Sequence, residues 1–239
     1  MHMVFKGIVP KELEYPDNNE DAILMEGNLV AVSDGASESF DAKNWARILV
    51  RKFVHSAHCK ESWLLEAIKE YSGLHKREDL SWAKQASYDR GSFATLLGIT
   101  FHEKSDSVEV LAVGDSLAVL VSNGSFERSY PYTSSGDFAQ DPILLSTNLN
   151  LNGFFERHDF LLSHSVVWSL QSLYNPLLLC MTDALGQWFL KTYPLDATIL
   201  ESLLSFRREN EFQEFVAKLR KENAIRTDDT TLIVIDMKE

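Results

Sequence analysis

The chain has 239 residues, 45% of them hydrophobic and 24% charged, and its 35 acidic and 23 basic side chains leave a formal net charge of −12. That balance excludes a nucleic-acid binder, which would neutralise phosphates with Lys and Arg, and it would repel a phosphorylated substrate unless a bound cation inverted the local field. No run reaches the roughly 20 apolar residues of a membrane helix, and the start "MHMVFKG" lacks a secretory pattern, so no membrane partner is expected.

In chain order, residues 3–9, 22–26 and 28–33 read as short strands, the last two separated by a turn around Gly27. From Asp41 the period changes. Ala42, Trp45, Ala46, Leu49, Val50, Phe53 and Ala57 recur three or four apart on one helical face, with Ser39 or Asp41 placed to cap it. A second helical region covers 61–89 and breaks at Gly73. Strands follow at "SFATLLGITF", "SVEVLAV", "LAVLV" and "SFERSYPY". "GDS" joins the second of these to the third, and Asn123-Gly124 joins the third to the fourth as a strong hairpin signal. Residues 131–156 are polar and punctuated by Gly and Pro, and read as a long loop over one end of a sheet. A strand at "PLLLCMT", helices around 184–192, 196–205 and 209–223, and a closing strand "TTLIVIDM" complete one expected domain, 1–239. Two cysteines, Cys59 and Cys180, make no disulfide framework, which points to a reducing cytoplasm.

Acidic residues stand at the ends of these strands. Asp34 ends "NLVAVS", Asp115 follows "VEVLAV", Asp183 ends "LLLCMT", and Asp228-Asp229 precede "TTLIVI". Each alone reads as a turn or strand-edge residue. At Asp34-Gly35 the hairpin reading fails, because a helix follows where a second strand is required. Carboxylates delivered together to one rim of a sheet repel unless they are protonated or hold a cation. An all-oxygen donor set favours hard ions, Mg²⁺ or Mn²⁺.

Taken in order, "NNEDA", "AVSDGAS", "GSFATLLGI", "AVGDSLAVLV", "LCMTDALGQW" and "RTDDTTLIVI" resemble the metal-dependent protein phosphatases of type 2C, in their divergent bacterial branch, over about residues 19–235. The resemblance implies an α+β fold of two mostly antiparallel sheets packed as a sandwich, with helices on both outer faces and residues 131–156 as a variable flap. It implies two ions, Mn²⁺ or Mg²⁺, held by Asp34, the backbone carbonyl of Gly35, Asp183 and Asp228. Glu20, Asp21 and Asp229 would stand behind these, and Asp115 would serve a weaker third ion. Thr95 and Thr231 match small polar positions near the core. The implied reaction is hydrolysis of phosphoserine or phosphothreonine on a protein substrate, by a water activated between the ions and with no covalent enzyme intermediate.

The chain departs from the family pattern at three places. Pro16 stands five positions before Asp21, where the family commonly has a phosphate-binding Arg, Ala184 replaces a Gly, and Leu117 replaces a common Arg. No phosphate-binding residue is therefore assigned, with Lys11 and Arg90 the nearest basic candidates. A partner-binding module without catalysis and a two-metal hydrolase of small phosphomonoesters are the alternatives. His55, His58 and Cys59 are spaced for zinc but lack a second ligand pair. Ser37 has no His/Asp pattern that would make it a nucleophile, and Cys180 reads as core.

Overall fold

The computed structural model describes residues 1–56, 61–155 and 159–238. Its strands are β1 (His2–Val9), β2 (Ala22–Glu26), β3 (Leu29–Ser33), β4 (Phe93–Ala94), β5 (Leu96–His102), β6 (Ser107–Val113), β7 (Leu117–Ser122), β8 (Ser125–Tyr130), β9 (Leu145–Ser146), β10 (Ser165–Ser169), β11 (Leu177–Met181) and β12 (Thr230–Asp236). Its helices are α1 (Ala42–Ser56), α2 (Glu61–Ser72), α3 (Trp82–Arg90), α4 (Phe160–His164), α5 (Asp183–Thr192), α6 (Thr198–Ser205) and α7 (Glu209–Lys221).

Among the described residues the long strands form two five-stranded antiparallel sheets, ordered β1-β12-β11-β7-β8 and β10-β6-β5-β3-β2, while β4 and β9 pair separately. Strand side chains alternate between faces, and both faces are apolar here. Ala118, Leu120, Leu178, Cys180, Ile233 and Ile235 of the first sheet meet Val30, Val32, Leu97, Ile99, Val108 and Val110 of the second. The alternate residues Leu117, Val119, Leu179, Met181, Leu232 and Val234 face α5, α6 and α7, and Ala31, Leu96, Leu111 and Val113 face α1 and α2. Two covered faces explain why these strands read as continuous apolar runs.

The helical face from Ala42 to Phe53 is buried as its spacing predicts, and the Asp41 carboxylate accepts from the Asn44 N–H at the helix start. Asn123 and Gly124 take φ of +49° and +74°, the left-handed pair that a two-residue hairpin needs between β7 and β8. The "GDS" turn, by contrast, carries the chain from one sheet to the other, since β6 and β7 lie in different sheets. The sequence reading misses α4 and β10. The strand is five residues long, pairs only with β6, and leaves Val167 exposed, so its alternation is weak.

The flap expected at 131–156 is not uniformly irregular over its described part, which ends at Phe155. The carbonyl of Leu145, in β9, accepts from Trp45 Nε1 at 2.8 Å, and the buried Asn152 side chain bonds the backbone of Ser146 and Asn148. Its first half instead runs past the rim where the acidic strand ends meet, with Pro142 and Leu144 beside them.

Candidate active site

The two sheets are stitched together at this rim. Thr95, just before β5, accepts the Asp34 N–H on its hydroxyl at 2.9 Å and donates its own N–H to the Asp34 carbonyl. The same hydroxyl lies 2.9 Å from Ser116 Oγ in the crossing turn. Gly114 in that turn has φ +104°, and a Cβ there would fall 2.8 Å from Thr95 Cβ. Gly35 is needed for a different reason. A Cβ on it would sit 2.9 Å from both the Ala42 side chain and the Glu20 carbonyl.

Asp34, Asp115, Asp183 and Asp228 line one cavity of about 170 Å³ with Gly35, Ala36, Ser37, Thr95, Pro142, Leu144 and Arg226. The strand ends thus bring the four carboxylates together. Burial, then the charges of Asp21, Asp115 and Asp228, push the Asp34 carboxyl well above the usual carboxylate range. Burial raises Asp115 as well. Arg226 carries the one positive charge in the lining, with its guanidinium on Asp183 and its Nε 3.6 Å from Asp228.

The other three acidic positions are placed differently. Asp21 is buried and accepts from Thr231 Oγ1 at 2.6 Å and Thr182 Oγ1 at 3.3 Å, so one carboxyl at the start of β2 ties both β11 and β12 to the opposite sheet. Burial pushes it up to about 8, and its other oxygen is enclosed without a hydrogen-bond partner. Asp229 accepts two backbone N–H groups, of Lys11 and Glu20, each at 2.7 Å. Glu20 pairs with Lys11 Nζ at 3.0 Å, and that ammonium also donates to Ser37 Oγ at 2.7 Å. Ser37 is therefore a Lys11 acceptor on the cavity wall.

The donor set suits hard cations, being all oxygen, convergent and accompanied by one orphaned buried carboxylate oxygen. Among the described residues no three of these side chains are closed around a single ion position, and the Arg226 guanidinium lies on two of them. His55 pairs with Glu26 at 3.5 Å on the surface, while His58 and Cys59 lie outside the described residues.

No protein-family model matches the chain, and no curated protein matches it in sequence. Solved structures match it over its length. The PPM Ser-Thr phosphatase MsPP from Mycobacterium smegmatis, in complex with cacodylate, is 16% identical with a TM-score of 0.53, covering 99% of each chain. The catalytic domain of the serine/threonine phosphatase PstP, with two manganese ions, is 16% identical over 99% of each chain, with a TM-score of 0.56. Stp1 from Staphylococcus aureus is 19% identical over 99% of this chain and 96% of its own, also at 0.56.

This chain has the PPM phosphatase fold. Within that fold its departures have local causes. Leu117 is wholly buried against α5, where a guanidinium would be stranded, and Ala184 is buried in the first turn of that helix, with its N–H donating to Asp183. Pro16 is exposed at the start of a short turn. Arg90 lines a neighbouring groove, and Lys11 stops at Ser37 and Glu20. The basic residue that does enter the cavity is Arg226, which sequence reasoning overlooked although it lies two positions before Asp228. Arg220 was overlooked too. From α7 it donates to the carbonyls of Val9, Pro10 and Asp228 and to Thr230 Oγ1.

Proposed function

We propose that this chain is a divalent-cation-dependent phosphatase acting on phosphoserine and phosphothreonine in proteins. One observation carries the reading: Asp34, Asp115, Asp183 and Asp228 reach a single small cavity from four separate strand ends. Asp34, the Gly35 carbonyl, Asp183 and Asp228 would hold two ions, Mn²⁺ or Mg²⁺, with Asp115 for a weaker third and Glu20, Asp21 and Asp229 standing behind them, tied to Lys11, to two threonine hydroxyls and to two backbone N–H groups. Such ions supply an acidified water and positive charge for the phosphoryl oxygens. The PstP neighbour, which carries two manganese ions, supports the assignment.

This chain's residues do the rest. Thr95 fixes the Asp34 backbone, Lys11 fixes Ser37 on the wall, and Pro142 and Leu144 form the wall on the flap side. A groove of about 490 Å³ that includes Arg90, Glu38 and Phe93 opens beside the cavity, sharing Ala36 and Leu144 with it. It gives room for polypeptide around a phosphorylated side chain, and favours a protein substrate over a small phosphomonoester. A partner-binding role without catalysis draws support from Arg226, whose charge already balances two carboxylates. Turnover of a phosphopeptide and of p-nitrophenyl phosphate, each with Mn²⁺ and with chelator, tests the reading. Metal-dependent hydrolysis that prefers the peptide is expected. Full activity in chelator, or none with any divalent ion, overturns it.

A further inference from the structure

The phosphatase reading leaves open what binds the phosphoryl group, since Pro16 has no donor to offer. Phosphate is gripped best by a guanidinium, whose planar fork makes two parallel charge-assisted hydrogen bonds. Of the basic side chains near the rim, Lys11 is committed to Glu20 and Ser37, and Arg90 lies in the next groove. Arg220 is held by four acceptors away from the cavity. Arg226 differs from all three. Its side chain is half exposed, at 51%, it stands in the connection between α7 and β12, and its ion-pair partners are the carboxylates of Asp183 and Asp228. The buried Ile225 anchors the backbone just before it.

We infer that Arg226 is the phosphoryl-gripping residue of this chain, and that it does so by exchanging with the divalent cation at Asp183 and Asp228. The inference rests on the phosphatase reading. A guanidinium and a divalent ion cannot share the same carboxylate oxygens without strong mutual repulsion. A cation bound there turns the guanidinium away from its acidic partners, and a side chain with half its surface in solvent can pivot to the cavity mouth. Phosphate arriving on the ions then meets a second positive group on its outer oxygens. The exchange makes Arg226 a competitor of the metal before substrate arrives and a ligand of phosphate afterwards.

Calorimetry on the full chain separates these roles. Mn²⁺ alone should bind Arg226→Gln several-fold more tightly than the parent at low salt, because the competing charge is gone. Inorganic phosphate should bind the Mn²⁺-loaded variant about tenfold more weakly. Arg226→Lys keeps the charge but not the fork, so it should match the parent for Mn²⁺ and still lose phosphate affinity. Unchanged Mn²⁺ affinity in Arg226→Gln, or unchanged phosphate affinity in both variants, overturns the inference while leaving the phosphatase reading intact. Failure of the parent to bind Mn²⁺, with Asp34→Asn indistinguishable from it, overturns both. Thermal melts of the variants without metal report whether each is folded.

Discussion

Two sets of carboxylates meet at the same rim and are treated in opposite ways. Asp21 and Asp229 receive neutral donors, two threonine hydroxyls in one case and two backbone N–H groups in the other. Asp34 and Asp115 face each other's charge across a cavity, and Asp183 and Asp228 share the half-exposed Arg226. The first set closes the sandwich, because each carboxyl joins segments more than 150 positions apart in sequence. The second set, on the proposed function, would offer its acceptor oxygens to a cation. A carboxylate's remaining partners, more than its burial, distinguish a fastener from a ligand.

The sharpest way to break this contrast is to neutralise the open set. If the proposed function holds, Asp34→Asn and Asp183→Asn should each cut metal-dependent turnover by about a thousandfold or more, since ligand charge would be lost where the ions are proposed to bind. Asp34→Asn should not lower the melting temperature in chelator, because mutual repulsion falls. A large stability loss would mean that these groups are fasteners too.

The fixed set should respond the other way. Arg220→Met removes the guanidinium donor from the carbonyls of Pro10 and Asp228, the latter keeping only Thr230 Oγ1, and should cost about 2–3 kcal/mol in denaturant unfolding. Asp229→Asn, which can accept but not replace both charge-assisted bonds, should cost about 1–2 kcal/mol. Both should reduce turnover less than Asp34→Asn does. Equal loss of turnover with no loss of stability would erase the distinction.

Proton linkage provides a subtler separation, measured in chelator. Asp21, at about 8, and Asp34 and Asp115 all hold protons above the ordinary carboxylate range. Between about pH 4 and pH 8 the folded state thus binds more protons than the unfolded chain, and stability falls as pH rises. Asp21→Asn should flatten the upper part of that slope, and added Mn²⁺ should flatten what the cavity carboxylates contribute. A melting temperature that rises from pH 5 to pH 8 in chelator would contradict the assignment. The smallest effect is expected at Asp115→Ala. On the proposed function it should leave two tight ions bound, as read by calorimetry, while raising the metal concentration needed for full turnover a few-fold.

The sequence by itself determined most of the strands and helices and the four carboxylates that line the cavity. Alternation at period two and recurrence at three to four are local signals, and Asn123-Gly124 carries its own left-handed backbone preference. Asp34-Gly35 was legible because the segment after it has helical period, which rules out a hairpin. Ordered strand-end acids then carried the family resemblance, and with it the sandwich.

What followed from packing across the chain was not legible. "GDS" looks like any tight connection, and only the core between the sheets decides that β6 and β7 part there. Asp228 and Asp229 are chemically identical neighbours. Their roles divide because one side chain faces the cavity and the other faces the N–H groups of residues 11 and 20. Arg220 and Arg226 are six positions apart with no pattern to separate them. The last turn of α7 holds one against carbonyls, and the connection to β12 lets the other enter the acidic cavity. Local sequence sets backbone preference, whereas which charge meets which is decided by long-range packing of the two sheets.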